Sequence, residues 1–124
     1  MIYYSNAKIN IGLRVVSKRS DGYHNINSFF YPISLSDILE IVPAKGYGKI
    51  NVSYSGLIQS IENDLIVRAY ELLSKNHKIP SIDVHLHKNI PIGSGLGGGS
   101  SNAAHILKIL NTLFSLNLGI DELI

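Results

Sequence analysis

The chain has 124 residues, 45% of them hydrophobic and 16% charged, with a formal net charge of +2 and no cysteine. That is one domain or part of one, apolar enough to bury a core, and too evenly charged to be a disordered segment or a polyanion-binding surface. No stretch approaches the ~20 apolar residues of a membrane span, and no basic-then-apolar leader opens the chain.

Ala7 to Val15 alternates, with Ala7, Ile9, Ile11, Leu13 and Val15 on one face and Lys8, Asn10, Gly12 and Arg14 on the other. A period of two predicts a half-buried strand. The polar stretch Ser17 to Gly22 ends in an Asp-Gly turn, where the basic pair Lys18-Arg19 reads as solvated. Tyr23 to Ile33 predicts a second strand with Pro32 near its end, and Asp37 to Val42 and Lys49 to Tyr54 predict two more around the turn Gly46-Tyr47-Gly48. The period then changes. Leu65, Ile66, Ala69, Leu72 and Leu73 recur at helical spacing, with Asn63 or Asp64 placed to cap the start and Pro80 following the end. Ser81 to Lys88 alternates again, Ile82, Val84 and Leu86 inward and Asp83, His85 and His87 outward.

Next comes the glycine- and serine-dense run Gly93 to Ser101, feeding a helix whose apolar stripe is Ala103, Ile106, Leu107, Leu110, Leu113 and Phe114. Leu118 to Ile124 reads as a helix just beginning, so the chain is expected to be an N-terminal piece of a longer protein. The order predicts an α+β domain with an antiparallel or mixed sheet and helices on one side. The absence of cysteine fits a reducing compartment, and a cytoplasmic protein is the expectation.

The glycine run carries the chemistry. A turn without side chains that tightens into a helix leaves main-chain N–H groups bare and adds the helix dipole, a ready anion site. Gly93-x-Gly95-x-x-Gly98 satisfies the dinucleotide pattern formally, but the strand before it is polar at every second position, unlike a Rossmann strand. No Gly-Lys-Ser/Thr follows, so it is not a P-loop, and an amphipathic helix does not follow a plain linker. Ser100 and Ser101 suit either a phosphate or Mg²⁺ contact or an ordinary helix cap. Lys8 and Asn10 share a strand face, which is either plain outer surface or an ammonium and amide for a phosphoryl group and its acceptor. Tyr23-His24 is a stacking and hydrogen-bonding pair for a planar base, or a solvated strand start. His85, His87 and His105 read as solvent-exposed, and Lys88 as close to the loop or simply solvated.

Two stretches together carry a resemblance. Ala7-Lys8-Ile9-Asn10-Ile11-Gly12-Leu13 with Lys18-Arg19-Ser20-Asp21-Gly22-Tyr23-His24, and Pro91 to Ala104, resemble signatures of the GHMP kinase superfamily. The additional glycines and the Asp-Gly-Tyr-His element resemble the branch that phosphorylates a cytidine diphosphate alcohol. The resemblance implies a ribosomal protein S5 domain 2-like fold, ATP and Mg²⁺ as cofactors, and residues 1–124 as the N-terminal ATP-binding domain of a kinase whose C-terminal domain lies outside the chain. It implies that Lys8 is catalytic and that Asn10, Tyr23 and His24 hold the substrate. It assigns the nucleotide to Lys88, Pro91, Gly93, Ser94, Gly95, Leu96, Gly97, Gly98, Gly99, Ser100 and Ser101, with Ser100 toward the metal and Asn63 and Asp64 on the adenosine side. The family's general-base aspartate is expected beyond Ile124, which leaves the chain inactive by itself and prone to self-association. The partners expected are a small molecule and ATP, with no nucleic acid and no membrane. Another GHMP kinase or an S5-like nucleic-acid-binding module are the competing readings.

Overall fold

The computed structural model describes residues 1–123. Its elements run β1 (Ile2–Lys18), β2 (His24–Tyr47), β3 (Ile50–Gly56), α1 (Leu65–Asn76), β4 (Pro80–Lys88), α2 (Gly98–Leu113) and the short α3 (Ile120–Leu123). The four strands form one mixed sheet in the order β1-β2-β4-β3. β1 pairs antiparallel with β2 and β2 antiparallel with β4, while β3 pairs parallel with β4. The parallel pair needs a crossover, and α1 supplies it.

Each helix forms for a legible reason. Asp64 caps α1, its Oδ1 accepting the Ile66 amide at 2.9 Å, as one of the two predicted caps requires. Ile66, Ala69, Tyr70 and Leu73 of α1 and Ile106, Ile109 and Leu110 of α2 then bury against Leu39, Ile41, Ile82, Val84 and Leu86 of the sheet. The core is therefore one helical layer on one sheet face, the α+β arrangement predicted. Tyr70 keeps its hydroxyl satisfied inside it by donating to the Pro80 carbonyl at 3.0 Å. The alternation of β4 holds as read, with Ile82, Val84 and Leu86 buried. The predicted terminal helix appears as α3, and Ile124 lies outside the described residues. Among the described residues no helix is long and apolar enough to cross a membrane.

Two expectations change. The expected strands Tyr23–Ile33 and Asp37–Val42 fall, from His24 onward, in a single strand, β2, rather than two. Pro32 is tolerated there because it pairs with Lys8 of β1, while β4 joins the other side of β2 only from Ile38 onward. The half-buried strand Ala7 to Val15 is buried only at Ala7. Ile9, Ile11, Leu13 and Val15 are exposed, because the β1–β2 hairpin runs on past the helical layer as a two-stranded arm. The arm departs at an irregularity. Asn6 pairs with Ser36 and Lys8 with Pro32, so Ile33, Ser34 and Leu35 of β2 stand opposite Ala7 alone. At its tip the Asp21 Oδ1 accepts the Tyr23 amide at 3.0 Å and Arg19 pairs with Asp21 at 2.7 Å, so that the basic pair is partly neutralised in an exposed turn.

Candidate functional site

The glycine run crosses between β4 and α2 as predicted, and Gly97 closes it. Gly97 is the residue before the helix, left-handed at φ 73°, and it caps α2 with no side chain. Ser100 and Ser101 therefore do not cap the helix; they lie inside its first turn. The first main-chain bond of the helix runs from the Ser101 amide to the Gly97 carbonyl at 2.9 Å. Among the described residues, the amides of Gly97, Gly98, Gly99 and Ser100 donate to no protein group. These are the orphan donors of a helix start, aimed outward at a helix dipole's positive end.

What lies under them was only partly foreseen. Lys88 is buried, and its ammonium pairs with the Asp37 Oδ2 at 2.5 Å rather than meeting solvent. A Cβ placed on Gly98 would lie 3.0 Å from the Lys88 Nζ and 2.8 Å from the Ile90 Cγ2, so the helix start rests directly on this pair. Asp37 is fully buried and saturated. Its Oδ1 accepts the amides of Asn89 and Ile90, each at 2.8 Å, and its Oδ2 also accepts from the Asn102 Nδ2 at 3.0 Å. A buried pair of this kind survives because the remaining lone pairs are filled. The one buried side-chain polar atom left without a partner among the described residues is the Asn102 Oδ1.

Lys8 is brought to the loop as expected. Its amide donates to the Leu96 carbonyl at 2.9 Å, and its Nζ donates to the Gly95 carbonyl at 3.0 Å and to the Asn10 Oδ1 at 3.4 Å. The Phe30 ring centroid is 5.2 Å from the same ammonium, a cation–π contact. Ser5 donates to the Ser101 hydroxyl at 2.9 Å, tying β1 to α2. Ser94 turns into the loop, its hydroxyl donating to the Pro91 carbonyl at 2.7 Å.

The loop stands as a ridge between two hollows. On one side is a cleft of about 340 Å³ where Asn63, Asp64, Lys88 and Asn102 meet Pro91 and the glycines, with Ile61, Leu65 and Ile92 as apolar walls. On the other is a shallower hollow lined by Asn6, Lys8, Phe30, Gly95, Gly97, Ser100 and Ser101. The carboxylate of Asp64 is already committed, since its Oδ2 accepts from the Tyr54 hydroxyl at 2.6 Å while Oδ1 caps α1.

Tyr23 and His24 are not brought to this cluster. His24 pairs with Lys18 at the far end of the arm, ten residues along β1 from Lys8, a path of roughly 33 Å at strand rise. The outward histidines are half-buried rather than solvated: His85 lies 2.7 Å from the Ser53 hydroxyl and 2.8 Å from that of Ser55, and His87 2.8 Å from Ser55. His105 is satisfied by the Ser101 carbonyl at 2.8 Å. No group of three metal-ligating side chains exists among the described residues. Sequence reasoning missed Asp37, Phe30 and Asn102. The available signal was phase: Asp37 is in register with inward Leu39 and Ile41, and Asn102 with inward Ile106 and Ile109.

The class follows from this loop and fold. The chain carries a match to the GHMP kinases N terminal domain over residues 64–124. Curated relatives are more particular. The chain is 50% identical to a 4-diphosphocytidyl-2-C-methyl-D-erythritol kinase of Azobacteroides pseudotrichonymphae genomovar. CFP2, over 99% of this chain and 46% of that protein. It is 48% identical to the protein of the same name from Bacteroides thetaiotaomicron, with the same shares covered. A crystal structure of a 4-(cytidine 5'-diphospho)-2C-methyl-D-erythritol kinase superposes with a TM-score of 0.77 at 35% identity, over 99% of this chain and 44% of that one. The chain thus spans just under half the length of the curated relatives it matches.

Proposed function

We propose that residues 1–124 form the ATP-binding N-terminal portion of a kinase that phosphorylates the 2-hydroxyl of 4-diphosphocytidyl-2-C-methyl-D-erythritol, a step of non-mevalonate isoprenoid synthesis in the cytoplasm. The observation that carries this reading is the set of four unpartnered amides from Gly97 to Ser100, with the Lys8 ammonium against the same loop. Phosphoryl transfer needs little covalent chemistry from a protein; it needs both reactants held in line and the charge between them neutralised.

ATP supplies the phosphoryl group and Mg²⁺ charge neutralisation. The bare amides suit the phosphates, and the exposed hydroxyl of Ser100 at the ridge is the side chain placed for the metal. Asn63 and the apolar walls Ile61 and Leu65 form the adenosine side, where Asp64 acts through the fold of α1. Lys88 supports the loop from below. Lys8 faces the second hollow across the ridge, where its ammonium meets the transferring group and Asn10 fixes the acceptor hydroxyl. Tyr23, exposed at the arm tip, and His24 lie ten residues of strand from Lys8, so a hold on the cytosine requires the arm to bend back over the second hollow. The general base belongs to the portion of the relatives that this chain does not span, so the fragment binds without turning over.

The test is Lys8→Met in the protein at its relatives' full length. Turnover is expected to fall about 100- to 1,000-fold, as for removal of a preorganised charge-stabilising group; near-normal turnover overturns the role of Lys8. Phosphorylation of mevalonate or homoserine in place of the cytidyl alcohol would overturn the substrate. Tight, salt-sensitive RNA binding by the chain would instead favour a nucleic-acid module.

A further inference from the structure

A glycine-dense loop is the costliest backbone to order, and whatever orders it before a ligand arrives improves affinity. The structure holds one such device. Asp37 comes from β2, outside the loop, is fully buried, and does not line the cleft. Its Oδ1 holds the amides of Asn89 and Ile90, where the chain leaves β4, and its Oδ2 holds the Lys88 ammonium and, beyond the loop, the Asn102 amide in α2. Everything from Pro91 to Ser101 hangs between those two attachments.

We propose that Asp37 is a positioning residue: one buried carboxylate that pins both ends of the glycine loop and so fixes the Gly97–Ser100 amides in place before phosphate binds. This rests on reading the cleft as a nucleotide site and names how that site is preorganised. Pinning both ends to one point shortens the loop's free span and removes conformations in which the amides diverge. Asn102 marks the same arrangement independently. Asp37 holds its Nδ2 end, a flip would set two oxygens face to face, and the buried Oδ1 is left without a partner beside the cleft.

The test titrates ATP and, separately, inorganic tripolyphosphate into the chain by calorimetry, alongside Asn102→Leu and Asp37→Asn. Asn102→Leu removes the far attachment together with an unsatisfied acceptor, keeps the side chain's branching in a larger body and leaves Oδ2 to Lys88 alone, so a modest fall in thermal stability is expected with the chain still folded. Asp37→Asn keeps an acceptor for the Asn89 and Ile90 amides but turns a donor toward Lys88 and Asn102. Both variants are expected to lose about tenfold in affinity, by the same factor for the two probes, because the defect lies in the phosphate loop. Wild-type affinity in either folded variant overturns the positioning role. So does a loss confined to ATP, which would mean a direct contact with the nucleoside. If Asp37→Asn does not fold, Asn102→Leu decides alone. If the unaltered chain binds neither probe, the nucleotide reading falls and takes this inference with it.

Discussion

The hydrogen bond from the Tyr54 hydroxyl to the Asp64 carboxylate joins β3 to the start of α1 at 2.6 Å. Burial, then that hydrogen bond, then the Asp64 charge push the phenol well above the ordinary tyrosine value of about 10. The neutral phenol is the form the fold prefers, so its contribution is fully present below about pH 10 and is lost as pH climbs from there through the raised native value. Tyr70, also pushed up mainly by burial, adds a share of its own. Replacing Tyr54 by Phe should therefore flatten the alkaline fall in stability by up to one proton, about 1.4 kcal/mol per pH unit. Urea midpoints of both proteins between about pH 9 and 11 check this, and parallel slopes would refute it. Asp64 was legible as a cap from its place before an apolar period, but its bond to Tyr54 was not, since nothing local in the sequence pairs them.

At the scale of elements, the start of α2 separates glycines that look alike in sequence. A Cβ on Gly98 would meet Ile90 and the Lys88 ammonium at 2.8 and 3.0 Å, whereas on Gly99 the nearest atom is the Leu65 Cδ1 at 3.6 Å. Gly98→Ala should cost about 1–3 kcal/mol through overpacking, and Gly99→Ala should be neutral or stabilising by up to about 1 kcal/mol through helix propensity. Equal effects in denaturant titrations would contradict this packing. Helical and strand periods made α1, β4 and α2 legible because each buries one face of a regular repeat. β2 was not legible as one strand, because its identity as a continuous element depends on partners that change along it, β1 from His24 to Glu40 and β4 from Ile38 to Tyr47. The glycine loop and Lys8 were legible by residue type. The clamp beneath them was not, since Asp37 meets Lys88 and Asn102 across intervals of 51 and 65 residues.

For the whole molecule, the arm is the unbalanced feature. Its cross-strand pairs Ile9–Tyr31 and Ile11–Phe29 leave Phe29 79% and Tyr31 59% exposed, and a two-stranded ribbon has no second layer to cover them. An apolar surface of that kind favours association. The isolated chain is expected to show concentration-dependent sedimentation, and replacing Phe29 and Tyr31 together by Ser should abolish it while leaving the helix-covered core folded. Unchanged sedimentation would place the contact elsewhere.

The misfit opposite Ala7 decides what the loop sees. Ser5 and Lys8 both reach the loop and its helix, yet they are three positions apart, an odd interval that a regular pleat sends to opposite sides. Asp37 and Phe30 repeat the inversion on β2, seven positions apart and both turned the same way. The surplus residues reverse inside and outside from Lys8 to Ile11, as far as the next irregularity before Arg14. In step, the ladder would have presented isoleucine to the phosphates and hidden the ammonium; one dropped stitch presents the ammonium and sends the grease outward.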